Sequence, residues 1–242
     1  MQTADSSALC ISAHLRSMKL TYYGQSTVEL VADGKTLLFD PFITPNELAK
    51  HIDVNSLKPD YILVSHGHGD HVADLVSIAK RSGAKVICIA EIAGWLGKQG
   101  ITNVHGMNIG GGFNFDFGRV KMVNAVHSSA LPDGSNGGNP AGFVISSEGK
   151  NIYFAGDTAL TYDMKLLEDE NLDWALLPIG DNYTMGADDA IKAAAFINCK
   201  NIVGVHYDSF PVIKIDKTEV EHKFIQAGLN LKLPAIGESI AL

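Results

Sequence analysis

Long hydrophobic runs are absent from this chain, which contains no stretch of about 18 or more apolar residues among its 242 residues. This excludes an ordinary membrane-spanning helix, and the apolar stretch from Leu9 to Ile11 is far too short for a signal-peptide core. Cysteine is also scarce, with three widely separated residues. That spacing excludes a disulfide framework, so we expect a cytoplasmic protein with no membrane partner.

Basic residues are also fewer than acidic ones: the chain has 19 Lys and Arg and 27 Asp and Glu, which gives a formal net charge of −8. This charge argues against a nucleic-acid binder held by a general basic surface, although it leaves a local basic patch open, and a small-molecule substrate is expected. The glycines at 110–112 lack the Lys and Ser/Thr that complete a phosphate-binding loop. No heptad pattern marks an interface, so a homo-oligomer stays open.

The chain has ample length to bury a core as one domain. Residues 1–18 are polar and aperiodic, and we expect them to form a disordered or loosely packed extension before a single domain at 19–242. Apolar and alternating patterns predict strands over 20–23, 27–31, 36–39, 61–64, 85–89, 113–117, 121–126, 142–146, 152–155, 174–177 and 202–205.

Helix patterns are interspersed with these strands. Val72, Leu75, Val76 and Ala79 form one apolar stripe, and further helices are predicted over 187–198 and 217–227. The three glycines at 110–112 separate two strand-rich series. Such a pattern predicts an α/β protein with two packed sheets and helices outside them.

Four side chains capable of binding metal fall within the six-residue segment His66-Gly67-His68-Gly69-Asp70-His71. In an extended segment residues i and i+2 point the same way, so His66 and His68 can bind one ion. Gly69 permits a turn that aims Asp70 and His71 at a second ion. Imidazole and carboxylate suit borderline cations such as zinc, and a site with few protein ligands leaves a position for water.

Further metal-capable residues stand directly after predicted strands, namely Asp40, His127, Asp157 and His206. The ends of strands recur as sites of chemistry in α/β proteins, because a rigid scaffold presents loop residues to one cleft. Asp208 offers a carboxylate that competes with His206. The candidate ligand set is His66, His68, Asp70, His71, His127, Asp157 and His206.

The H-x-H-x-D-H run, followed by isolated His, Asp and His in that order, resembles the metallo-β-lactamase superfamily. The similarity extends from Lys19 to the C-terminus. The segments TYYGQSTVEL, LLFDPFITPN and GDNYTMG are similar to those of a group of small metal-dependent hydrolases related to the ascorbate-6-phosphate lactonases.

This resemblance implies a four-layer αββα sandwich of two mixed β-sheets with a dinuclear metal site at one edge. It assigns ligands by order along the chain: His66, His68 and His127 to the first metal, Asp70, His71 and His206 to the second, and Asp157 as the bridge. The cofactors expected are two divalent ions, with zinc first and manganese, iron or nickel as alternatives.

The function that follows is hydrolysis of an ester, lactone or phosphoester of a small metabolite, by water activated between the two metals. Asp70 is expected to serve as both a ligand and the catalytic proton carrier. A phosphodiesterase or nuclease on the same centre is the alternative within enzymes. A non-catalytic metal-binding protein is the alternative outside them, and turnover of generic substrates discriminates between the two.

Other polar residues receive lesser roles. Asp40 is expected to orient a ligand histidine or to shape the turn before Pro41, without binding metal. The loop after 175–178 is a candidate substrate loop, or a plain connection, through Asn182, Tyr183, Thr184 and Met185. The remaining histidines lack metal-like neighbours and are expected to have no role at the site: His14, His51, His105 and His222.

Overall fold

The computed structural model describes residues 18–242, within which fourteen strands and five α-helices follow one another. The strands are β1 Lys19–Gly24, β2 Thr27–Ala32, β3 Lys35–Phe39, β4 Tyr61–Leu63, β5 Lys85–Ile89, β6 Val104–Met107, β7 Gly112–Phe115, β8 Gly118–Asn124, β9 Ala141–Ser147, β10 Lys150–Phe154, β11 Trp174–Pro178, β12 Asn201–Val205, β13 Asn230–Lys232 and β14 Ser239–Ala241. The helices are α1 Gly69–Val72, α2 Leu75–Ser82, α3 Ala90–Lys98, α4 Ala187–Phe196 and α5 Lys217–Gln226.

The strands form two seven-stranded sheets with the same pattern of pairing. The first has the order β14-β1-β2-β3-β4-β5-β6, and the second has the order β13-β12-β11-β10-β9-β8-β7. Each sheet has three antiparallel pairings on one side and three parallel pairings on the other, with the antiparallel side formed by β14-β1-β2-β3 in the first sheet and by β7-β8-β9-β10 in the second. The predicted boundary at 110–112 therefore falls between the sheets, although β14 returns to the first.

The sheets pack face to face, and the helices lie outside them, as the αββα prediction requires. Phe39 of β3 and Phe154 of β10 meet across the interface with ring centroids 4.8 Å apart. Central parallel strands such as Tyr61–Leu63 are buried at every residue, which explains their unbroken apolar sequences. The prediction of two mixed sheets with helices outside is confirmed.

The helix stripe predicted through Ala79 is divided into α1 and α2. The carboxylate of Asp74 accepts hydrogen bonds from Ile43 N at 2.7 Å and Thr44 N at 2.9 Å, while Asp74 N donates to Pro41 O. These bonds tie the junction to the loop after β3. The predicted helix is therefore interrupted at Asp74, and these bonds hold the segment that carries the histidine run against the loop after β3.

Several elements were not predicted from the sequence, namely α3, β6, β13 and β14. Met18 was placed in the expected N-terminal extension, but its side chain is buried and its carbonyl accepts a hydrogen bond from Leu242 N. Met18 therefore belongs with the domain, whereas residues 1–17 of that extension lie outside the described residues. Among residues 18–242, no helix is both long and apolar enough to span a membrane.

Candidate metal centre

The candidate ligands come from the same edge of both sheets. The run His66–His71 follows β4, whose parallel pairing with β3 places Asp40 beside it. In the second sheet Asp157 follows β10 and His206 follows β12. Because β8 and β10 are each antiparallel to β9, they run in the same direction, which brings His127 to this edge as well.

The first donor group consists of His66, His68 and His127. The Nε2 atom of His66 lies 3.0 Å from Nδ1 of His68, and the His127 ring lies 5.1 Å from both other rings, centroid to centroid. His66 is fully buried, whereas His68 and His127 are half-buried. His66 therefore lies on the buried side of this group, whereas His68 and His127 lie on the side nearer the surface.

The second donor group consists of Asp70, His71, Asp157 and His206. The Nε2 atoms of His71 and His206 lie 3.5 and 3.6 Å from Oδ2 of Asp70, and 3.3 and 3.0 Å from Oδ2 of Asp157. Asp208, the competing carboxylate, belongs to no donor group, since it pairs with Lys217 at 3.4 Å.

One atom, Oδ2 of Asp157, joins the two groups. It lies 3.9 Å from Nε2 of His66 and 3.5 Å from Nε2 of His127, in addition to its contacts with His71 and His206. Gly156 precedes this aspartate with φ of 61°, and a Cβ there would fall 2.8 Å from the Cβ of Ser65. Glycine thus permits the close approach of the two sheets beside the site.

The spacing of the donor atoms suits coordination of a metal ion better than hydrogen bonding between the donors themselves. In a tetrahedral zinc site with bonds of about 2.0–2.1 Å, neighbouring ligand atoms are about 3.3 Å apart, which is the range seen here. Within residues 18–242, Nε2 of His71, Nε2 of His206 and Oδ1 of Asp157 are buried and make no hydrogen bond. Unpaired buried polar atoms are costly, so their convergence favours bound cations.

Asp40 contacts the site without forming part of either main donor group. Its Oδ2 accepts from Nδ1 of His71 at 2.8 Å and from Oγ of Ser65 at 2.5 Å. The single hydroxyl hydrogen of Ser65 is thus used, so Oγ accepts from Nδ1 of His66 at 3.0 Å. Asp40 therefore orients one histidine of each group and leaves both Nε2 atoms facing the centre. Asp40, His66 and His71 also form a third group of side chains close enough together to bind a metal ion.

Gln25 is a site residue that the sequence analysis missed. Its Nε2 donates to Oδ2 of Asp70 at 2.8 Å, and its carbonyl accepts from His206 N at 2.8 Å. It is fully buried, and its φ is 52°. The available signal was its position after β1, which runs in the same direction as β3 because both are antiparallel to β2.

Electrostatics differ between the two donor groups. Burial lowers the pKa of His66 well below its usual range, and burial also lowers the pKa of His68 and of His127. These imidazoles are therefore neutral, which is the form that binds metal.

In the second group burial opposes protonation of the histidines, but nearby carboxylates outweigh it. Asp157, Asp70 and Asp40 raise the pKa of His71 well above its usual range, and Asp157 chiefly raises the pKa of His206 to about 9. In turn, although burial opposes ionisation, the charges of His71 and His206 hold the pKa of Asp157 well below its usual range. Without metal, the positive charges of protonated His71 and His206 thus neutralise the carboxylates of Asp70 and Asp157.

The predicted substrate loop reaches the site through one residue. A cavity of about 360 Å³ is lined by five donor side chains and by three other residues: His68, Asp70, His127, Asp157 and His206, with Ser128, Tyr183 and Phe210. Asn182 is exposed away from it, Thr184 is half-buried, and Met185 is fully buried in the core. Met185 therefore anchors the loop, contrary to the expectation that it contacts substrate.

Histidines expected to have no role at the site lie apart from the donor groups. His51 contacts the carbonyl of Ile236, His105 packs on Phe113, and His222 lies beside Gln226 on an exposed helix face. His14 lies outside the described residues.

The fold and the donor set together define a metal-dependent hydrolase of the metallo-β-lactamase type. The family described as "Beta-lactamase superfamily domain" matches residues 35–207. A UPF0173 metal-dependent hydrolase of Flavobacterium johnsoniae is 54% identical over 93% of this chain and 100% of its own length. A relative of the same description from Methylacidiphilum infernorum is 49% identical with the same coverage.

Among solved structures, Igni18, a metallo hydrolase from the archaeon Ignicoccus hospitalis, is similar with a TM-score of 0.85 and 34% identity. The match covers 93% of this chain and 98% of that one. The chain therefore belongs to the beta-lactamase superfamily and is a metal-dependent hydrolase. The closer resemblance to ascorbate-6-phosphate lactonases stays a prediction.

Proposed function

We propose that the protein is a two-metal hydrolase that cleaves an ester, lactone or phosphoester bond of a small metabolite. The observation that carries this proposal is the position of Asp157, whose Oδ2 lies within 3.9 Å of a histidine nitrogen from each donor group. A single carboxylate oxygen shared in this way suits two cations held side by side, since such pairs lie about 3.5–4 Å apart.

Each donor group would hold one ion. His66, His68 and His127 would suit the first, while Asp70, His71 and His206 would suit the second, and Asp157, which lies near histidines of both groups, would contribute to both. Zinc is the first choice, because imidazole and carboxylate donors without cysteine suit it, with manganese, iron and nickel as alternatives. When bound, two divalent cations lower the pKa of a shared water and polarise the bond to be cleaved.

Asp70 is the candidate proton carrier. Its side chain is 23% exposed, so it borders the cavity, whereas Asp157 is almost fully buried. Although burial opposes its ionisation, the charge of His71 and the close approach of the His206 imidazole hold the pKa of Asp70 well below its usual range. As a carboxylate beside the cavity it accepts a proton from the attacking water and passes it to the leaving oxygen.

The test is metal stoichiometry together with turnover. Purified protein is stripped with a chelator, reloaded with zinc or manganese, and assayed on esters, lactones and phosphodiesters while bound metal is measured by mass spectrometry. We expect two equivalents per chain, with activity lost on stripping and restored on reloading.

Variants assign the ions to their donor groups. His127→Ala removes a donor of the first group only, His206→Ala removes one of the second group only, and His222→Ala on an exposed helix is the control. Each site variant should retain about one equivalent. Full activity of the stripped protein, or a single equivalent in the unaltered protein, would contradict the proposal.

A further inference from the structure

The walls of the cavity are aromatic. Beyond the donor side chains, the cavity is lined by Ser128, Tyr183 and Phe210. Ser128 Oγ lies 3.3 Å from Nε2 of His68, so its hydroxyl is turned towards the donors. The two rings therefore supply the surface that a substrate contacts outside the reacting bond. At about 360 Å³ the cavity lies near the small end of ligand sites, which suits a compact molecule.

Tyr183 is held by an ordered turn even though its ring is 56% exposed. Asp181 and Asn182 adopt left-handed backbone conformations, with φ of 61° and 56°. The turn is closed by a hydrogen bond from Asp181 N to Met185 O, and Met185 N donates to Thr158 O. With Met185 buried in the core, the turn fixes the backbone of Tyr183, whose side chain lines the cavity beside the metal donors.

Phe210 forms a second aromatic part of the lining, on the segment that follows β12. Its ring packs on that of Phe42 with centroids 6.1 Å apart, and Phe42 is buried. Phe210 also precedes the short 3-10 turn Pro211–Ile213, of which Ile213 is fully buried. This wall is thus supported from behind and does not depend on an unanchored loop.

The cavity lining contains no Lys or Arg among residues 18–242, and its charged side chains outside the histidines are carboxylates. Lys217 is a nearby cation in the sequence, but it pairs with Asp208 at 3.4 Å and lies over the ring of Tyr207. A phosphate group remote from the reacting bond would therefore meet no cationic partner, and the overall charge of −8 adds to its repulsion.

From this lining we propose that the substrate is a compact, uncharged carboxylic ester or lactone whose flat apolar part lies between Tyr183 and Phe210, and not a phosphorylated metabolite. This inference rests on the proposed hydrolytic function. Hydrolysis consumes one water, whose oxygen bonds to the acyl carbon while the acyl C–O bond breaks. The departing alcohol oxygen takes up one proton, and the acid product releases one.

Three esters with the same scissile bond test the proposal: methyl phenylacetate, methyl acetate, and methyl phenylacetate carrying a phosphate on its ring. Zinc-loaded protein should show the highest kcat/KM for the uncharged ring ester. In Tyr183→Ala and Phe210→Ala, the ratio of kcat/KM for methyl phenylacetate to that for methyl acetate should fall roughly three- to tenfold, as loss of an aromatic contact implies. Tyr183→Phe should keep the ratio, because the ring and not the hydroxyl makes the wall.

Tyr162→Ala is the matched control, because this 72% exposed tyrosine packs on Phe196 away from the cavity lining. A ratio unchanged in Tyr183→Ala and Phe210→Ala, or a preference for the phosphorylated ester, overturns the inference while leaving the hydrolytic function intact.

Binding of phenylacetamide, measured by ligand-observed NMR on zinc-loaded protein, separates the two proposals. Weaker binding in Phe210→Ala with no turnover of any ester would support the aromatic walls and refute the cleavage of carboxylic esters. Equal binding to the variant and the unaltered protein would refute the walls.

Discussion

Gln25 gives the sharpest test of how the second donor group is held. Its Nε2 donates to Oδ2 of Asp70 at 2.8 Å, in a fully buried position. Replacing it by Met keeps the length of the side chain and removes the donor. The Gln25 carbonyl accepts hydrogen bonds from His206 N and from the Tyr22 hydroxyl, and these do not depend on the Gln25 side chain. The fold should therefore survive in Gln25→Met.

The magnitude follows from the kind of bond that is lost. A hydrogen bond to a charged group contributes about 1.5–3 kcal/mol, which corresponds to roughly a 10- to 150-fold change in an equilibrium constant. Residues that orient metal ligands typically change metal affinity by about 10- to 100-fold, which is the same range. We expect the ion held by Asp70 and His206 to bind that much more weakly, while the ion held by His66 and His68 binds as before.

The assay is a zinc titration against a chromophoric chelator, which resolves the two binding steps. Gln226→Met is the matched control, because this glutamine lies on α5, where its side chain contacts that of His222. Wild-type affinity for both ions in Gln25→Met would refute the positioning role. Equal weakening of both ions would also refute it, because that result indicates general disruption of the fold.

Three further predictions concern the surroundings of the donors. Asp40→Asn should weaken both ions by about 10- to 100-fold in the same titration, since Asp40 orients a histidine of each group; loss of one ion only would contradict this. In metal-free protein the pKa of His206 is raised from 6.5 to about 9, so protonation of this histidine should stabilise the fold. The stabilisation should be fully present below about pH 6.5, and thermal unfolding should show that it is lost as the pH rises through about 9. A stability that rises over this range only in the unaltered protein, and not in His206→Gln, would refute that sign. Gly180→Ala should cost more than about 2 kcal/mol in urea unfolding, because its Cβ would lie 2.1 Å from the His206 carbonyl oxygen, whereas Gly94→Ala meets no atom within 4 Å and should be neutral or stabilising.

The sequence predicted the donors better than it predicted their support. His66, His68, Asp70 and His71 stand within one short run, so local geometry alone suggested two ions. The more distant donors could be predicted because each follows an apolar strand. This pattern can be recognised without knowing the order of the strands in the sheets. Gln25 shares that property, but it stands in a tight hairpin turn, where a polar residue is expected for purely local reasons.

Long-range packing explains the other misses. The predicted helix through Val72 and Ala79 breaks because Asp74 binds the backbone of the loop after β3, a partner thirty or more residues away in sequence. The short strand β14 is half exposed and forms only by pairing with β1 at the other end of the chain. Neither interaction leaves a periodic trace in the local sequence.

The sheet topology explains why the donors divide as they do. Each sheet places the ends of its central strands at one edge, and each donor group takes residues from both sheets. The first combines His66 and His68 with His127, and the second combines Asp70 and His71 with His206, while Asp157 joins the two groups. Since every group spans the interface between the sheets, the relative position of the sheets sets the donor distances. The packing of Phe39 on Phe154 at the ends of β3 and β10 therefore helps to set the distances between donors that come from different sheets.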